Sequence, residues 1–469
     1  MSGETDRPRE GFARWRGADA VPLMAVAIFD VGKTNVKLSL VEAGAIRHTL
    51  SAPNRVLPGP PFAHYDEAGI WSFLMQGLAR LGAVARITDI VAVAHGGGCG
   101  LVDAAGALVL PMLDYEMPIE DDDYDRVASP FSETFSPPLG GLNIARQLHW
   151  FQKAFPAEFR RARQLLHYPQ YWSFRLSGIP SSELTYLGCH TGLWQPVAGR
   201  VSGLVERMGW QGLLPPLRKA DDVLGPILPA IAAETGLPGD CRVRVGIHDS
   251  SASFLRHRLT RPMPFALAST GTWVVTMAAG ADVTGLPENR SCLVNVDALG
   301  SPVPCGLFLG GREYAQLTEG AGSAAATTGD IAAVIGSAAM LVPPVGSYGG
   351  PFAGQPLGAP RGPQPGSEGE IVARASLYLA LMTDYCFGLI KATGPVIVEG
   401  SLTGNEIFLA GLAALRQPEP VLVSNDPTGT VSGAARLAGE EIPDPLRVAA
   451  PLSLPLDDYR RAWREALPA

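Results

Sequence analysis

The hydrophobic pattern predicts two similar strand–turn–strand units. Residues 24–29 form a short apolar run typical of a buried strand, and residues 36–41 alternate between apolar and polar positions. The polar residues between them predict a tight turn. Residues 264–269 and 273–277 repeat this pattern around a second Gly/Thr turn. The repetition predicts two halves of similar construction.

Helical and extended patterns alternate around these units. Apolar spacing predicts helices over 66–82, 142–155, 171–176, 371–393, 405–415 and 457–467, with a further small-residue helix ending near 439. Short apolar runs predict strands over 87–94, 108–111, 242–247, 396–398 and 421–423. This alternation favours an α/β fold. The Gly/Pro cluster at 235–240 predicts a boundary between an N-terminal domain, residues 21–240, and a C-terminal domain, residues 241–469. Residues 1–20 read as a ragged or disordered extension.

Composition excludes several classes of protein. The 469 residues are 46% hydrophobic and 17% charged, which is typical of globular domains and opposite to disorder. With a net charge of −8, the chain lacks the excess of positive charge that is typical of nucleic-acid-binding proteins. No apolar run approaches the ~18 residues that a membrane span needs. The six cysteines are isolated, which is typical of reduced thiols in a cytoplasmic protein.

Two unusual segments leave alternatives open. Residues 342–369 are rich in Pro and Gly and lack periodicity, so they could form a mobile lid or a surface loop. The acidic run at 120–125 could bind a metal ion, but a solvated acidic loop is the favoured interpretation.

The first Gly/Thr turn offers a phosphate-binding hypothesis. A P-loop is excluded because Ala27 stands where its first glycine belongs and a strand, not a helix, follows Thr34. Backbone N–H groups around Gly32 and the Thr34 hydroxyl can still bind an anion. Asp30 would then face Mg²⁺, through water, and Lys33 and Lys37 would supply counter-charges. The alternative is a hairpin turn without chemical function.

Asp249 is the candidate general base. A strand ends at His248-Asp249 and a helix is predicted to begin at once, so the partial positive charge of the helix N-terminus would keep this carboxylate ionised. An ionised carboxylate can accept the proton of an attacking hydroxyl in phosphoryl transfer. The alternative is that Asp249 serves only as a helix N-cap. His248 reads as a packed core residue.

Four motifs carry a resemblance to a known family. Asp30-Val-Gly-Lys-Thr-Asn-Val-Lys37, Gly246-Ile-His-Asp-Ser-Ser-Ala-Ser253, Ser269-Thr-Gly-Thr-Trp273 and Val398-Glu-Gly-Ser-Leu-Thr-Gly-Asn405 resemble, in this order, the motifs of the FGGY carbohydrate kinases. The second and third are most similar to the L-rhamnulokinase and L-fuculokinase branch. Matching motifs run from residue 30 to about 439.

The resemblance implies a fold, a reaction and a set of site residues. It implies two actin-like (ribonuclease H-like) domains facing each other across a catalytic cleft, with ATP and Mg²⁺ as cofactors. The acceptor would be a small ketose of the L-fuculose, L-rhamnulose or pentulose type, and Asp249 would be the general base. By position, the phosphate-binding and nucleotide-binding residues would be Asp30, Gly32, Lys33, Thr34, Asn35, Lys37, Thr270, Gly271, Thr272, Gly400, Asn405 and Gly429. The sugar would meet His95, Gly97, Asp114 and Glu116.

Some of these assignments have structural alternatives. Small residues around Gly429 are also what a tightly packed helix needs, His95 could be a buried strand-end histidine, and Glu183 reads as structural support. The sequence departs from the family pattern at Lys33, where Thr or Ser is usual, and at Glu399, where Gly is usual. The last motif also lacks its usual Glu.

Other functions remain open on sequence alone. A non-catalytic ATP-binding sugar sensor or a chaperone-like ATPase would keep the two actin-like, ATP-binding domains without needing Asp249. A nicotinamide-dependent oxidoreductase is disfavoured because no G-x-G-x-x-G follows the first strand. The expected partner is a small-molecule sugar, with a homodimer possible.

Overall fold

The computed structural model describes residues 24–137, 139–322, 324–346, 349–426 and 428–468. The extension predicted at 1–20 lies outside these residues. Within them, no helix has the length and apolar character that a membrane crossing requires. The elements form an α/β fold built on two seven-stranded sheets.

The first sheet lies in the N-terminal half. Its strands, in spatial order, are Val223–Pro226, Arg242–Arg244, Arg86–Ala94, Met24–Val31, Asn35–Glu42 and Ala45–Pro53, and Ile247–His248 also pairs with Arg86–Ala94. Met24–Val31 is antiparallel to the strand that follows it and parallel to Arg86–Ala94.

The second sheet repeats this arrangement. Its order is Cys292–Val296, Pro302–Phe308, Val274–Ala279, Phe265–Thr270, Val396–Gly400, Val421–Val423 and Arg447–Val448. Phe265–Thr270 is antiparallel to Val274–Ala279 and parallel to Val396–Gly400. The predicted repetition of the two hairpins is therefore confirmed.

Helices cover the sheets. In the described ranges the longer ones are Glu67–Gly82, Ile144–Ala154, Tyr168–Ser177, Asp249–Thr260, Gly310–Leu317, Thr328–Gly336, Glu368–Leu389, Glu406–Leu415, Gly429–Arg436 and Asp457–Glu465. Shorter helices are Tyr124–Val127, Phe131–Thr134, Pro156–Arg161, Leu184–Leu187, Gly203–Arg207 and Pro229–Thr235. Small two-stranded pairs join Val56–Leu57 to His64–Tyr65, Cys99–Val102 to Gln164–His167, Ser182–Glu183 to Leu217–Arg218 and Trp194–Gln195 to Arg200–Val201.

One predicted strand is wrong. Residues 108–111 make only an isolated bridge between Leu108 and Val102, because Pro111 and the turn before Leu108 limit the pairing. The prediction also missed the strands Ala45–Pro53, Cys292–Val296 and Pro302–Phe308.

The first sheet continues beyond residue 240. Arg242–Arg244 and Ile247–His248 both pair with Arg86–Ala94. We therefore propose that the N-terminal domain ends after His248, at the start of the helix Asp249–Thr260.

That helix joins the two halves. Its residue Ala252 is buried in one apolar cluster with Val93 of the first sheet and with Val431 and Ala434 of the helix Gly429–Arg436. A Cβ at Gly433 would collide with the Ala252 carbonyl, so glycine there allows the two helices to touch. The carboxyl edge of the first sheet is thereby fixed against the C-terminal half.

The described part of segment 342–369 packs on the C-terminal half. Phe352 is buried and stacks on Tyr385, with 5.2 Å between ring centroids. The Gly350 carbonyl accepts a hydrogen bond from Ser291 Oγ at 2.8 Å, and Arg361 pairs with Met340. These contacts are those of an anchored loop.

The acidic run is neither exposed throughout nor assembled around a metal site. Asp121 is buried and hydrogen-bonds His149 at 2.5 Å. Asp123 pairs with Lys153 at 2.6 Å, and Asp125 pairs with Arg146 at 2.5 Å. The solvated-loop interpretation is wrong for Asp121, because basic side chains of one helix neutralise the run.

Candidate active site

Three adjacent parallel strands place the key residues at one edge of the first sheet. Asp30 pairs in register with Val93, and Ile247 pairs with the same Val93 from the other side. The strands Arg86–Ala94 and Ile247–His248 end one residue later, and His95 and Asp249 follow them directly. Because the carboxyl ends of parallel strands share an edge, Asp30, His95 and Asp249 lie together, where ligands bind in open α/β sheets.

The first Gly/Thr turn is held in a fixed shape. Gly32 N donates to the Asn35 carbonyl at 3.0 Å. Asn54 donates twice to the turn, from Nδ2 to the Gly32 carbonyl at 2.8 Å and from its backbone N to the Thr34 carbonyl at 2.9 Å. Lys37 is exposed and stands opposite Asp30 in the hairpin register.

Asp30 lies in a carboxylate-rich environment. Burial and, to a lesser extent, the Asp249 carboxylate raise its pKa, Lys37 lowers it, and the net result is a pKa of about 7. A carboxylate whose ionisation is disfavoured by a second one nearby is a suitable oxygen ligand for Mg²⁺, directly or through water. The donor set at this edge therefore fits magnesium.

Asp249 is the first residue of the helix and not its cap. The N-cap position is held by His248, and Asp249 Oδ1 accepts a hydrogen bond only from its neighbour Ser250, whose backbone N lies at 2.5 Å. The N-cap alternative is therefore wrong. The Asp249 side chain is 30% exposed, so a ligand can reach it.

Burial opposes the expected effect of the helix N-terminus on the Asp249 carboxylate. Burial raises the pKa of Asp249 above its usual range, although His95, Ser250 and His190 each lower it. Desolvation outweighs the helix end here. A raised pKa makes the ionised carboxylate a stronger proton acceptor.

His95 presents an unused nitrogen to this edge. Its Nδ1 hydrogen-bonds the Gly96 carbonyl at 2.7 Å, while the buried Nε2 has no hydrogen-bond partner among the residues that the structure describes. The ring packs between Tyr65 and Tyr168, with centroids 5.4 and 5.1 Å away. Burial lowers the pKa of His95 to about 4, so the ring is neutral and can bond a hydroxyl.

Gly97 shapes the loop after His95. It has a φ of +79°, and its carbonyl accepts a hydrogen bond from Gln147 at 2.7 Å. A side chain there would press on Leu142 and Tyr115.

Lys33 joins the first turn to the predicted sugar acids. Its ammonium bonds Asp114 and lies 3.4 Å from Glu116. It also lies 4.7 Å from the centroid of the Tyr115 ring. Asp114 is buried and Glu116 is largely exposed. The sequence assigned Lys33 to phosphate, whereas its contacts are with residues assigned to the sugar.

The second Gly/Thr turn abuts a helix that the sequence did not predict. Gly271 N donates to the Trp273 carbonyl at 2.8 Å, and Arg312 N donates to the Thr272 carbonyl at 3.3 Å. The Gly271 carbonyl is so close to Gly311 that a Cβ there would collide with it. The turn therefore lies on the first residues of the helix Gly310–Leu317.

Gly400, Asn405 and Gly429 have clear packing roles. Gly400, at φ +92°, lies directly against the Thr270 carbonyl. Asn405 caps the helix Glu406–Leu415 by accepting from Phe408 N at 3.0 Å. A Cβ at Gly429 would lie 2.6 Å from Ser253 Oγ, so its glycine serves close packing, which is the alternative that the sequence left open.

A buried ion network explains the unusual Glu399. Arg256 donates to Glu399 at 2.6 Å, to Asp426 at 2.8 Å and lies 3.0 Å from Asp444. Burial alone would raise the pKa of Glu399, but the His257 hydrogen bond and the Arg256 charge lower it to about 2. Sequence reasoning missed this network, and the departure at Glu399 was its only signal.

Two hydrogen bonds link the second turn to the helix of Asp249. Ser253, one turn after Asp249, donates to the Glu399 carboxylate, and Thr270 Oγ1 donates to the Glu399 carbonyl at 2.5 Å. Thr270 opens the second Gly/Thr turn. The second Gly/Thr turn is therefore linked, through Glu399, to the helix Asp249–Thr260.

Comparison with known proteins agrees with this geometry. The profile for "Carbohydrate kinase FGGY, C-terminal domain" matches residues 262–445. A carbohydrate kinase from Novosphingobium aromaticivorans is 34% identical, with a TM-score of 0.87 over 95% of this chain and 99% of that one.

More distant structures share the fold. A xylulose kinase from Rhodospirillum rubrum is 19% identical, with a TM-score of 0.77 over 94% of this chain and 97% of that one. A gluconate kinase from Lactobacillus acidophilus is 15% identical, with a TM-score of 0.78 over 95% and 96%. With its paired actin-like sheets and its likeness to the Novosphingobium kinase across nearly the whole chain, this protein belongs to the FGGY family of carbohydrate kinases.

Proposed function

We propose that this kinase transfers the γ-phosphate of ATP to a hydroxyl of a small ketose, of the L-fuculose, L-rhamnulose or pentulose type. The observation that carries the proposal is the shared edge of Asp30, His95 and Asp249. This edge combines a proton acceptor, a neutral hydrogen-bonding imidazole and a carboxylate suited to a cation. The ketose branch itself rests on the resemblance of the His-Asp-Ser and Thr-Gly-Thr-Trp motifs.

Asp249 is the general base in this proposal. Its partly exposed carboxylate accepts the proton of the attacking sugar hydroxyl as the bond to phosphorus forms. His95 Nε2 and the Asp114 carboxylate orient the sugar by bonding its other hydroxyls. Lys33 holds Asp114 in place and balances its charge.

The two Gly/Thr turns bind the phosphates. Their backbone N–H groups and the hydroxyls of Thr34 and Thr272 supply donors to anionic oxygens. Asp30 would hold Mg²⁺ through water, and the cation would neutralise phosphate charge when bound. Closure of the halves around the helix Asp249–Thr260 would exclude water that could otherwise accept the phosphoryl group.

A coupled assay of ATP consumption over a panel of ketoses tests the proposal. We expect one ketose to stimulate ATP consumption, with little consumption when sugar is omitted. Asp249→Asn keeps an oxygen for Ser250 N and should lower kcat by at least ~10²-fold with little change in the KM for ATP.

Glu183→Gln is the matched control. Glu183 is another buried carboxylate, but it caps the helix Leu184–Leu187 through Thr185 N and Tyr186 N. Its substitution should lower stability more than kcat. Full activity of the Asp249→Asn enzyme would show that Asp249 is not the general base. If no ketose of the panel stimulated ATP consumption, the proposed substrate class would be refuted.

We also propose a cytoplasmic location. All six cysteines are free and buried, which suits a reducing compartment.

A further inference from the structure

A cysteine and two histidines meet beside the catalytic carboxylate. Cys189 Sγ lies 3.7 Å from His248 Nε2, and one ligand atom each from Cys189, His190 and His248 falls within 4.8 Å of the others. His248 Nε2 is also 3.3 Å from Asp249 Oδ1. Three atoms of the types that bind transition metals therefore lie around one point, and a carboxylate oxygen lies beside one of them.

The loop of Gly96 leaves room for these atoms to converge. A Cβ at Gly96 would lie 2.7 Å from His190 Nε2 and 3.2 Å from His248 Nε2. His190 itself has a φ of +41°, a left-handed conformation that is uncommon outside glycine. That turn lets the consecutive side chains of Cys189 and His190 reach the same point.

The outer nitrogens of both imidazoles are engaged. His190 Nδ1 hydrogen-bonds the Leu142 carbonyl at 3.2 Å, and His248 Nδ1 lies 3.5 Å from Ser251 Oγ. Metal-binding histidines are commonly oriented in this way, with one nitrogen on a carbonyl or hydroxyl and the other on the metal.

We propose that Cys189, His190 and His248 bind one Zn²⁺-like transition-metal cation, with Asp249 as the fourth ligand, and that this binding inhibits the kinase. Zn²⁺ bonds of ~2.0–2.3 Å require ligand atoms a little closer than they are here, which small side-chain rotations provide. On binding, the Sγ–H bond of Cys189 breaks, a bond from Sγ to the metal forms, and the proton goes to the buffer.

Inhibition follows from the shared carboxylate and rests on the proposed role of Asp249. A cation bound to Oδ1 removes the electron pair that would accept the sugar proton. Mg²⁺ does not compete for the site, because Mg²⁺ prefers oxygen ligands. Thiolate sulfur and imidazole nitrogen select zinc or copper instead. The partly exposed His190 and Asp249 provide an entry path.

Metal retention tests the site without ATP or sugar. The chelator-stripped protein is dialysed against Zn²⁺, and the metal retained per chain is measured. The same protein loaded with Co²⁺ is examined for a thiolate-to-cobalt charge-transfer band. We expect about one equivalent of metal and a clear band for the parent chain. Cys189→Ser should lose the band and bind Zn²⁺ at least about tenfold more weakly.

Cys99→Ser is the matched control, because Cys99 is another buried free thiol and bonds Gln147 instead. It should behave as the parent chain does. His190→Gln, at a partly exposed position, gives a second test should Cys189→Ser fold poorly. Absence of retained metal, or a thiolate band that survives Cys189→Ser, would overturn the site.

Inhibition is measured separately, with Zn²⁺ added to the kinase assay at saturating Mg-ATP. The parent enzyme should lose activity and recover it with chelator, whereas Cys189→Ser should keep its activity at tenfold higher Zn²⁺. Equal sensitivity of both would overturn the inhibitory role. A chain that retains metal but phosphorylates no sugar would support the site while refuting the proposed function.

Discussion

Removing the guanidinium of Arg256 should destabilise the protein strongly. Arg256 is 5% exposed and bonds the 4%-exposed Glu399 at 2.6 Å, with two further carboxylates, Asp426 and Asp444, within 3.0 Å. Arg256→Met leaves these carboxylates buried without their cation. Breaking a buried pair by removing one partner costs about 3–5 kcal/mol, because the remaining charge stays desolvated.

The exposed pair Arg447–Glu406 provides the control. It has the same 2.6 Å separation, but its side chains are 36% and 71% exposed. Since solvent screens such pairs, Arg447→Met should cost only about 0–1 kcal/mol. The two variants therefore lose an ion pair of the same N–O separation, and they differ in burial and in the number of carboxylates left without the arginine.

Urea unfolding near neutral pH measures both costs. We expect a much lower midpoint for Arg256→Met than for Arg447→Met, and also a weaker affinity for ATP, because Glu399 bonds Thr270. The pKa of Glu399 is lowered from 4.5 to about 2, so this stabilisation is complete above pH 4.5 and is lost as pH falls towards 2. Equal midpoints for the two variants, or a difference that does not shrink in acid, would refute the reasoning.

Three further predictions concern single residues of the site. Gly400→Ala places a side chain on left-handed backbone against Thr270 and should lower the unfolding free energy by at least about 1–3 kcal/mol. Gly404→Ala has open space around the new side chain and should be nearly neutral. Equal losses of stability in the two variants would contradict this prediction. Lys33→Met should raise the KM for sugar about tenfold, because it leaves the buried Asp114 carboxylate without its partner. A rise in the KM for ATP instead would indicate that Lys33 binds phosphate. Burial and the Asp249 carboxylate raise the pKa of Asp30 from 3.8 to about 7, so its contribution to stability falls as pH rises through this range. Asp30→Asn should remove this fall and add at most about 4 kcal/mol to the unfolding free energy above pH 7. Metal-free urea unfolding at two pH values measures the gain, and a gain independent of pH would refute the prediction.

Local sequence signals predicted the central strands of both sheets and the longest helices. The helix over 66–82 begins at Glu67 with Asp66 as its cap, because capping and apolar spacing act within a few turns. The edge strand Ala45–Pro53 and the strand Pro302–Phe308 escaped prediction, because only pairing with distant strands makes them extended.

The candidate site was predicted in part. Asp30, His95 and Asp249 each follow a short apolar strand, a position visible in the sequence, and the parallel register brings them together. The contact of Lys33 with Asp114 and the meeting of His190 with His248 were not visible, because each joins segments far apart in the chain.

The sequence by itself determined the two hairpins, the order of the motifs and the chemical types available at the strand ends, since these depend on neighbouring residues. The tertiary structure decided the electrostatics. Burial raises the pKa of Asp249 where a helix end alone would lower it, and Arg256 keeps Glu399 ionised in the interior. Desolvation and Coulomb energies depend on which side chains share a low-dielectric space, and only the folded chain sets those distances.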